Sequence, residues 1–466
     1  MSWFSRSARV AAAAAIAAAS FAAVAPAASA RSAATLSDID GDGRADLVVG
    51  MPDYNNRGGV WIRYANGNTQ TLTPPSSSFD NSRFGESVLV RDFNRDGYAD
   101  IAVGARNFGG GNGLVMWFRG GPGGVDFNKV FDQWDGDAGS QLGTSLTYIE
   151  SAPRPVLAVG APGYTDGGTS DAGAVRLFSL RSDGTVNKMT WLTQDSPGVP
   201  GDSETGDYFG FSVASTGKAL VVGAPNDSVG NVQRAGQVTL LVRTGELTFK
   251  GRTIHQNSKG VPDVAQQDDS FGYSVAAGLG MIVVGVPGES FGANTYAGAV
   301  QPFTYRGGTS VTPLSLRHQD SPGIPGSNAP GDRWGSSVAM VRPCVGKKGV
   351  VVGAPYKEVG GEAAAGAATL VTLGAGSRCP SRALQQGKTL GDAPESGDMA
   401  GWSVGVHRLS NSSRATDRIV VGIPGENDYR GRVTLVSPPY KSSASAKSYN
   451  GPTSFSWFGA GLNVPR

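Results

Sequence analysis

Two short phrases that recur along the chain constrain its fold more than any other feature of the sequence. The first is Phe-Gly or a variant of it, and the second is an apolar run that ends in Gly and usually continues into Pro. Each phrase occurs seven times, and the Gly of the second recurs every 54 to 69 residues. The first reads RFGESV, QLGTSL, YFGFSV, SFGYSV, RWGSSV, MAGWSV and WFGAGL, and the second reads LVVGMP, IAVGAR, LAVGAP, LVVGAP, IVVGVP, VVVGAP and IVVGIP.

The residues in and between these phrases are typical of short β-strands. Continuous β-branched runs bounded by Gly and Pro indicate buried strands that end at turns. A third segment such as AGAVRLF (172–178) alternates apolar and polar residues, and a weaker fourth follows, as in MTWLTQDSPG (189–198). With 69 Gly and 17% charged residues, the composition also favours turns and strands. Four strands per unit and no credible helix predict an all-β fold, a seven-bladed β-propeller of four-stranded blades.

These phrases resemble FG-GAP repeats, which build the seven-bladed propeller of integrin α-subunits and of many exported bacterial proteins. The resemblance covers residues 31–466, almost the whole chain, which we treat as one propeller domain. Local departures are Leu142, Trp334 and Ala400 in place of Phe, and Arg106 in place of Pro.

The two ends of the chain carry complementary parts of a repeat. The first repeat has a second phrase (47–52) without a first, and the chain finishes on a first phrase (457–462) without a second. We expect residues 457–462 to form a strand beside 47–50, so that one blade is built from both termini. An open ring would leave a strand edge unpaired and expose apolar surface. A disordered tail is the alternative.

The N-terminal residues 1–30 have the pattern of a signal peptide. Arg6 and Arg9 precede an Ala-rich apolar run that ends in Ala28-Ser29-Ala30, an A-x-A cleavage motif. A transmembrane helix is the alternative, but the run is only weakly apolar. We therefore expect a secreted, extracellular, monomeric protein with no membrane span after cleavage. Without the two arginines of the signal peptide, the chain has equal numbers of basic and acidic residues. This balance gives no reason to expect nucleic acid as a partner.

Cys344 and Cys379 are the two cysteines of the chain. An even pair in an exported protein favours one disulfide, which would contribute roughly 4 kcal/mol to stability by loop entropy. Two separate buried thiols are the alternative.

Two acidic loops lead directly into second phrases. Both DIDGDGRAD (38–46) and DFNRDGYAD (92–100) fit D-x-[DN]-x-D-G-x-x-D, in which oxygen ligands at alternating positions can surround one hard cation. FG-GAP proteins carry calcium in such loops, and we expect two Ca²⁺ ions. The side-chain ligands are Asp38, Asp40, Asp42 and Asp46 in the first loop and Asp92, Asn94, Asp96 and Asp100 in the second, with the main-chain carbonyls of Arg44 and Tyr98.

Two other interpretations of these loops are weaker. An EF-hand needs Glu at the twelfth loop position and flanking helices, whereas Val49 and Val103 stand at that position and a strand follows. An Asp- and Gly-rich turn without metal is the other alternative. The remaining repeats have no alternating acids in this place.

The sequence offers several weak signs of catalysis. GWSVG (401–405) matches the nucleophile elbow, but Ser403 occupies a repeat position and no helix follows. The histidines His255, His318 and His407 are scattered and do not define a zinc site. Some phospholipases D join an FG-GAP propeller to a His-rich zinc domain, and we expect none here. Acids that recur before the first phrase fit a turn role better than a glycosidase pair: Asp207, Asp268, Asp269, Asp332 and Asp398.

We therefore expect an exported, calcium-stabilised propeller that is not an enzyme and that acts as a binding or adhesion module for an extracellular protein or glycan. A hydrolase or lyase on the same scaffold and a purely structural exported protein are the alternatives. No motif in the variable loops identifies the ligand.

Overall fold

The computed structural model describes residues 37–125, 127–151, 153–374, 379–409, 416–440 and 443–462. The signal peptide predicted at 1–30 lies outside these residues. None of the described helices combines the length and the apolar character needed to cross a membrane.

Seven four-stranded antiparallel sheets form the blades of a ring, which confirms the predicted seven-bladed propeller. Blade 1 has the strand order β28-β1-β2-β3, and blades 2 to 7 each use four consecutive strands, from β4–β7 to β24–β27. The few helical turns are Tyr54–Asn56, Ser77–Phe79, Phe108–Gly111, Phe127–Lys129, Glu426–Tyr429 and Ser443–Ser445. The strands are β1 (Leu47–Met51), β2 (Gly59–Arg63), β3 (Thr69–Leu72), β4 (Ser87–Arg91), β5 (Asp100–Gly104), β6 (Leu114–Phe118), β7 (Val130–Asp135), β8 (Leu146–Ile149), β9 (Val156–Ala161), β10 (Ala174–Leu180), β11 (Val186–Leu192), β12 (Ser212–Ser215), β13 (Ala219–Ala224), β14 (Gln237–Arg243), β15 (Phe249–Ile254), β16 (Ser274–Gly278), β17 (Met281–Val286), β18 (Ala299–Tyr305), β19 (Val311–Pro313), β20 (Ser337–Val341), β21 (Lys348–Ala354), β22 (Ala367–Leu373), β23 (Arg382–Leu384), β24 (Val404–His407), β25 (Arg418–Ile423), β26 (Arg432–Val436), β27 (Ala446–Asn450) and β28 (Gly461–Leu462).

The second phrase forms the second strand of each blade and lies in the core. Every residue of β13 and of β17 is buried, as expected for a continuous apolar run with neighbours on both faces. The outer strands are half exposed, β15 and β27 among them. The apolar side chains pack mainly between neighbouring blades, so the core is a series of interblade layers.

The chain termini close the ring within blade 1, as the sequence predicts. Strand β28 pairs antiparallel with β1, with Leu462 opposite Val49 and Gly461 opposite Gly50. Phe458 is fully buried and packs edge-on against Trp61, with 5.2 Å between ring centroids. One apolar cluster joins residues of blades 7 and 1 here, so the termini are sealed by packing as well as by hydrogen bonds.

Contacts between blades explain why Gly and Ser recur in these phrases. The carbonyl of each first-phrase Gly, apart from Gly85, accepts a hydrogen bond from a Ser hydroxyl of the preceding blade. The same carbonyl lies against the second-phrase Gly of that blade, where a Cβ on Gly104 would come within 2.0 Å of the Gly143 oxygen. The six hydroxyl bonds are Ser87 to Gly143 (2.5 Å), Ser145 to Gly210 (2.9 Å), Ser212 to Gly272 (2.7 Å), Ser274 to Gly335 (2.7 Å), Ser337 to Gly401 (2.8 Å) and Ser403 to Gly459.

The Ser hydrogen bonds also give Ser403 its role. Its hydroxyl donates to the Gly459 carbonyl, as the equivalent serines do in the other blades. At the seventh junction the position is occupied by Gly461 in blade 1. A Cβ there would lie 2.3 Å from the Gly85 oxygen, so this junction requires Gly in place of Ser.

Cys344 and Cys379 form a disulfide within blade 6, with 6.3 Å between their Cα atoms. The bond joins the hairpin between β20 and β21 to the segment before β23.

Candidate metal centre and buried interblade clusters

The first acidic loop brings three carboxylates together just before β1. Ligand oxygens of Asp38, Asp40 and Asp42 all lie within 4.8 Å of one another. The loop is shaped by its own carboxylates, because Asp38 accepts the backbone N–H groups of Gly41 (2.8 Å) and Gly43 (2.9 Å). Burial raises the pKa of Asp38, and the charges of Asp42 and Asp40 raise it further.

Asp46 lies outside this three-carboxylate group. Its two oxygens accept the N–H groups of Ile39 (2.8 Å) and Ala65 (2.9 Å), so it holds the loop against the end of β2. Asp46 is 2% exposed, and burial raises its pKa to about 7. At Arg44, the N–H donates to Asp42 (2.8 Å) and the guanidinium Nε lies 3.9 Å from the same carboxylate.

The second loop repeats this arrangement before β5. Side-chain oxygens accept backbone N–H groups two, five, seven or 20 residues away, and the last acid again turns inward. Burial raises the pKa of Asp100 to about 8. The bonds run from Gly97 to Asp92 (3.0 Å), Asp96 to Asn94 (3.1 Å), Tyr98 to Asp96 (2.9 Å), and Phe93 and Gly120 to Asp100 (2.7 and 3.0 Å).

Both loops fit a hard cation by the chemistry of their donors. They offer carboxylate and amide oxygens, which are the ligands that Ca²⁺ prefers. Asp92 Oδ1 is buried and has no hydrogen-bond partner among the described residues. Burial also raises the pKa of Asp92, because a charged group there is poorly solvated. An unpaired buried carboxylate oxygen is costly, and a bound cation would remove that cost.

The acids that precede the first phrase form buried clusters that the sequence did not reveal. Asp207, Asp269, Asp332 and Asp398 are at most 2% exposed. All but Asp332 accept a nearby backbone N–H, which confirms a turn role for those three. Each also faces a Gln that follows the outer strand of the preceding blade, 12 or 13 residues earlier. These glutamines are Gln194, Gln256, Gln319 and Gln386. The Gln that precedes each acid by 12 or 13 residues was the sequence signal from which these clusters could have been predicted. Asp268 is different, because it pairs with Arg234 on the surface.

In three of the four clusters the Gln also contacts a second acid, which follows the second phrase. Gln256 Nε2 lies 3.0 Å from Asp269 and 2.7 Å from Glu289. Burial and the charges of Asp269 and Asp263 raise the pKa of Glu289 to about 9. Each of these two buried carboxylates disfavours the ionised form of its neighbour, and burial raises the pKa of Asp269 as well. The other two second acids are Asp227 and Glu426.

In blade 6 a basic residue replaces the second acid of the cluster. Lys357 occupies the position of the second acid, and its Nζ lies 2.7 Å from Asp332. Gln319 Nε2 donates to the same carboxylate oxygen at 2.7 Å. The Lys357 ammonium thus places a positive charge beside Asp332, where the Glu289 and Asp227 clusters have a second carboxylate.

Of the histidines, His318 packs within its blade. Its ring stacks on Phe291, with 4.2 Å between centroids, and its Nδ1 lies 3.1 Å from Asn328. These contacts give His318 a packing role.

The ring of seven blades and the Gly and Ser contacts between them define a class, the FG-GAP β-propeller. Sequence comparisons agree, because residues 38–103 match the model of an FG-GAP-like repeat and residues 193–240 match that of the FG-GAP repeat. The protein is an FG-GAP-repeat propeller that resembles integrin α-subunits and phosphatidylinositol-glycan-specific phospholipases D.

Comparisons with three known proteins give the extent of the similarity. Phosphatidylinositol-glycan-specific phospholipase D of Mus musculus is 29% identical over 217 residues, which are 41% of this chain and 25% of that protein. Integrin alpha-11 of Homo sapiens is 40% identical over 95 residues, 18% of this chain and 8% of that protein. The structure of a periplasmic gluconolactonase of Pseudomonas aeruginosa covers 91% of this chain and 99% of its own, with 14% identity and a TM-score of 0.47.

These relatives correct one prediction. The sequence-based prediction that the protein is not an enzyme is contradicted, because the relatives that share its repeats include phospholipases D of mouse and human. The chain spans about a quarter of the length of those relatives.

Proposed function

We propose that this protein is an exported, calcium-binding FG-GAP propeller that acts as a binding module for an extracellular ligand. The observation that carries the proposal is the repeated construction of the two acidic loops, with three converging carboxylates in one and an unpartnered buried Asp92 oxygen in the other. The disulfide between Cys344 and Cys379 supports export, because such bonds persist in oxidising compartments.

Calcium would be held by the loop oxygens that converge. In the first loop these belong to Asp38, Asp40 and Asp42, and the corresponding side chains of the second are Asp92, Asn94 and Asp96. The cation would offset the mutual repulsion of the carboxylates and would complete the coordination of Asp92 Oδ1. Asp46 and Asp100 position the loops, because their oxygens accept backbone N–H groups from flanking segments.

The exposed loops support a role in binding. Loops on a rigid scaffold are common sites of recognition, and this ring presents exposed aromatic rings on them. Tyr296, Tyr356 and Phe455 are 40, 41 and 64% exposed. The guanidinium of Arg333 lies within 6 Å of both tyrosine rings, so aromatic and charged groups occur side by side.

Isothermal titration with CaCl₂ tests the metal proposal. The expected result is two sites in the purified chain and one site in Asp42→Asn, with a lower melting temperature in EDTA for the wild type. At about 1 mM calcium and a dissociation constant near 0.1 mM, each site contributes roughly 1.4 kcal/mol. Asp183→Asn, an exposed acid in a turn, serves as the matched control. Identical melting in calcium and in EDTA would contradict the proposal.

A ligand screen that reads both binding and turnover tests the binding role. Extracellular proteins, glycans and phosphatidylinositol-glycan lipids are suitable probes, the last because of the names of the relatives. Saturable binding without product supports a binding module. Turnover would place the protein among propeller enzymes, and the absence of any ligand would favour a purely structural role.

A further inference from the structure

A cleft of about 900 Å³ lies between blades 7 and 1, beside the first acidic loop. Its described walls are the loop residues 43–45, the ends of β2 and β26, and the outer strand β27. This volume is in the range of sites for small organic ligands. The cleft therefore is large enough for more than a single ion.

The charges that line this cleft all have the same sign. The described lining residues include Arg44, Arg63, Arg418 and Lys447 and contain no Asp or Glu. The overall charge of the chain is close to neutral, with a formal net charge of +2, so this grouping is local. Cations that share a partly desolvated cleft repel one another, and an anion would relieve that repulsion.

Most of these charges have no acidic partner. The guanidinium of Arg418 makes no hydrogen bond or ion pair with another described residue. Arg63 and Lys447 lie over the ring of Tyr449, at 4.9 and 5.5 Å from its centroid. Only Arg44 has an acid nearby, with 3.9 Å between its Nε and Asp42. Three of the four bases thus have no acidic partner among the described residues, although Arg63 also donates to the Gly67 carbonyl oxygen (2.9 Å).

One buried acceptor accompanies the bases. His407 lines the cleft and is 8% exposed, and its Nε2 lies 3.2 Å from the Ala45 carbonyl oxygen. Because a carbonyl only accepts, Nε2 carries the proton and Nδ1 is the acceptor. Nδ1 is buried without a hydrogen-bond partner among the described residues. Because Nδ1 is closed off from solvent, a ligand in the cleft meets the bases and not this nitrogen.

We propose that this cleft binds an anionic saccharide, a sugar that carries sulfate or carboxylate groups. Its anionic groups pair with Arg418, Arg63 and Lys447. The inference rests on the proposed binding function and names its ligand class and site. The central channel is a less suitable site for such a ligand. It measures about 250 Å³, and its Ser hydroxyls already form hydrogen bonds between blades.

The test is isothermal titration of the full chain, at constant calcium, with a chondroitin sulfate tetrasaccharide and with neutral cellotetraose. The sulfated sugar is expected to bind with an affinity that falls as the salt concentration rises. The neutral sugar is not expected to bind. Arg418→Gln combined with Lys447→Gln should weaken binding by about tenfold or more. Lys250→Gln is the matched control, since Lys250 is also an exposed base on an outer strand, β15 of blade 4. Thermal melting verifies that each variant is folded.

The outcomes separate this inference from the proposed function. Loss of binding in the double variant alone supports the cleft. Equal loss in Lys250→Gln, or no binding of the sulfated sugar by the folded chain, overturns it. If cellotetraose or another ligand from the screen binds, with an affinity that the double variant leaves unchanged, the protein is a binding module but the cleft is not its anionic site.

Discussion

The backbone N–H of Gly459 donates to the carbonyl of Gly50 across 3.2 Å, and this bond joins the last repeat phrase of the chain to the first. The same Gly-to-Gly bond occurs inside blades 2 to 7, at 2.9 to 3.1 Å, where both residues belong to one continuous repeat. The closing blade therefore reproduces, from the two ends of the chain, a contact that the other blades make within a short segment. The stability of the ring should depend on residues near both termini.

Replacing Phe458 should destabilise the protein as much as a core substitution does. Phe458 is fully buried and packs on Trp61, so Phe458→Ala should lower the free energy of unfolding by about 3–5 kcal/mol. Urea denaturation measures this change. Phe455→Ala is the control three residues away, and because Phe455 is 64% exposed it should change stability by less than about 0.5 kcal/mol. Equal small effects would show that the C-terminal strand does not close the ring.

Gly50 should tolerate no side chain. A Cβ at this position would lie 1.8 Å from the Gly85 carbonyl oxygen of blade 2, so Gly50→Ala forces the two blades apart. We expect a loss of about 1–3 kcal/mol, the usual cost of overpacking, measured by thermal and urea unfolding. Gly121→Ala is the control, because no atom lies within 4 Å of a Cβ there. Unchanged melting of Gly50→Ala would contradict the close contact between blades.

The stability of the protein should decrease with rising pH because of Glu289. Its pKa rises from an ordinary value of 4.5 to about 9, since burial and the Asp269 charge disfavour the ionised form. The folded state holds this proton over a range in which the unfolded state has lost it. The free energy of unfolding should therefore fall between pH 4.5 and 9 and level off above.

Glu289→Gln removes this titration and should flatten the pH dependence over the same range. Urea unfolding at pH 5, 7 and 9 compares the variant with the wild type. Glu358→Gln, an exposed acid in blade 6, is the control and should retain the wild-type slope. A slope that is the same in all three proteins would show that Glu289 is not the group responsible.

The disulfide should contribute a large share of the stability of blade 6. Cys344 and Cys379 are 35 residues apart, and the loop-entropy model assigns such a bond about 4 kcal/mol. The Cys344→Ser, Cys379→Ser double variant should lose that amount in urea denaturation. Reductant should bring the wild type to the same stability and leave the variant unchanged. A wild type that is indifferent to reductant after denaturation and refolding would contradict this.

Some features of the protein could be predicted because they are local in the sequence. The number of blades, the four strands in each and the position of both acidic loops follow from Gly and Pro residues at turns, β-branched runs and alternating acids, each contained in a few consecutive residues. Even the closure by residues 457–462 is visible as a phrase without its complement, and strand β28 confirms it.

Other features exist only in the folded ring. Gln256 meets Asp269 and Glu289 because the outer strand of blade 4 returns beside two loops of blade 5. Asp46 turns away from the acids of its loop because the N–H of Ala65, 19 residues later, lies beneath it. The cleft gathers Arg63 of blade 1 and Arg418 of blade 7, which are separated by most of the chain. Sequence by itself determined the repeating unit, since strand and turn preferences act over neighbouring residues. Only the tertiary structure decided which side chains share a buried space, because the closed ring of blades brings together residues whose separation in the chain carries no pattern.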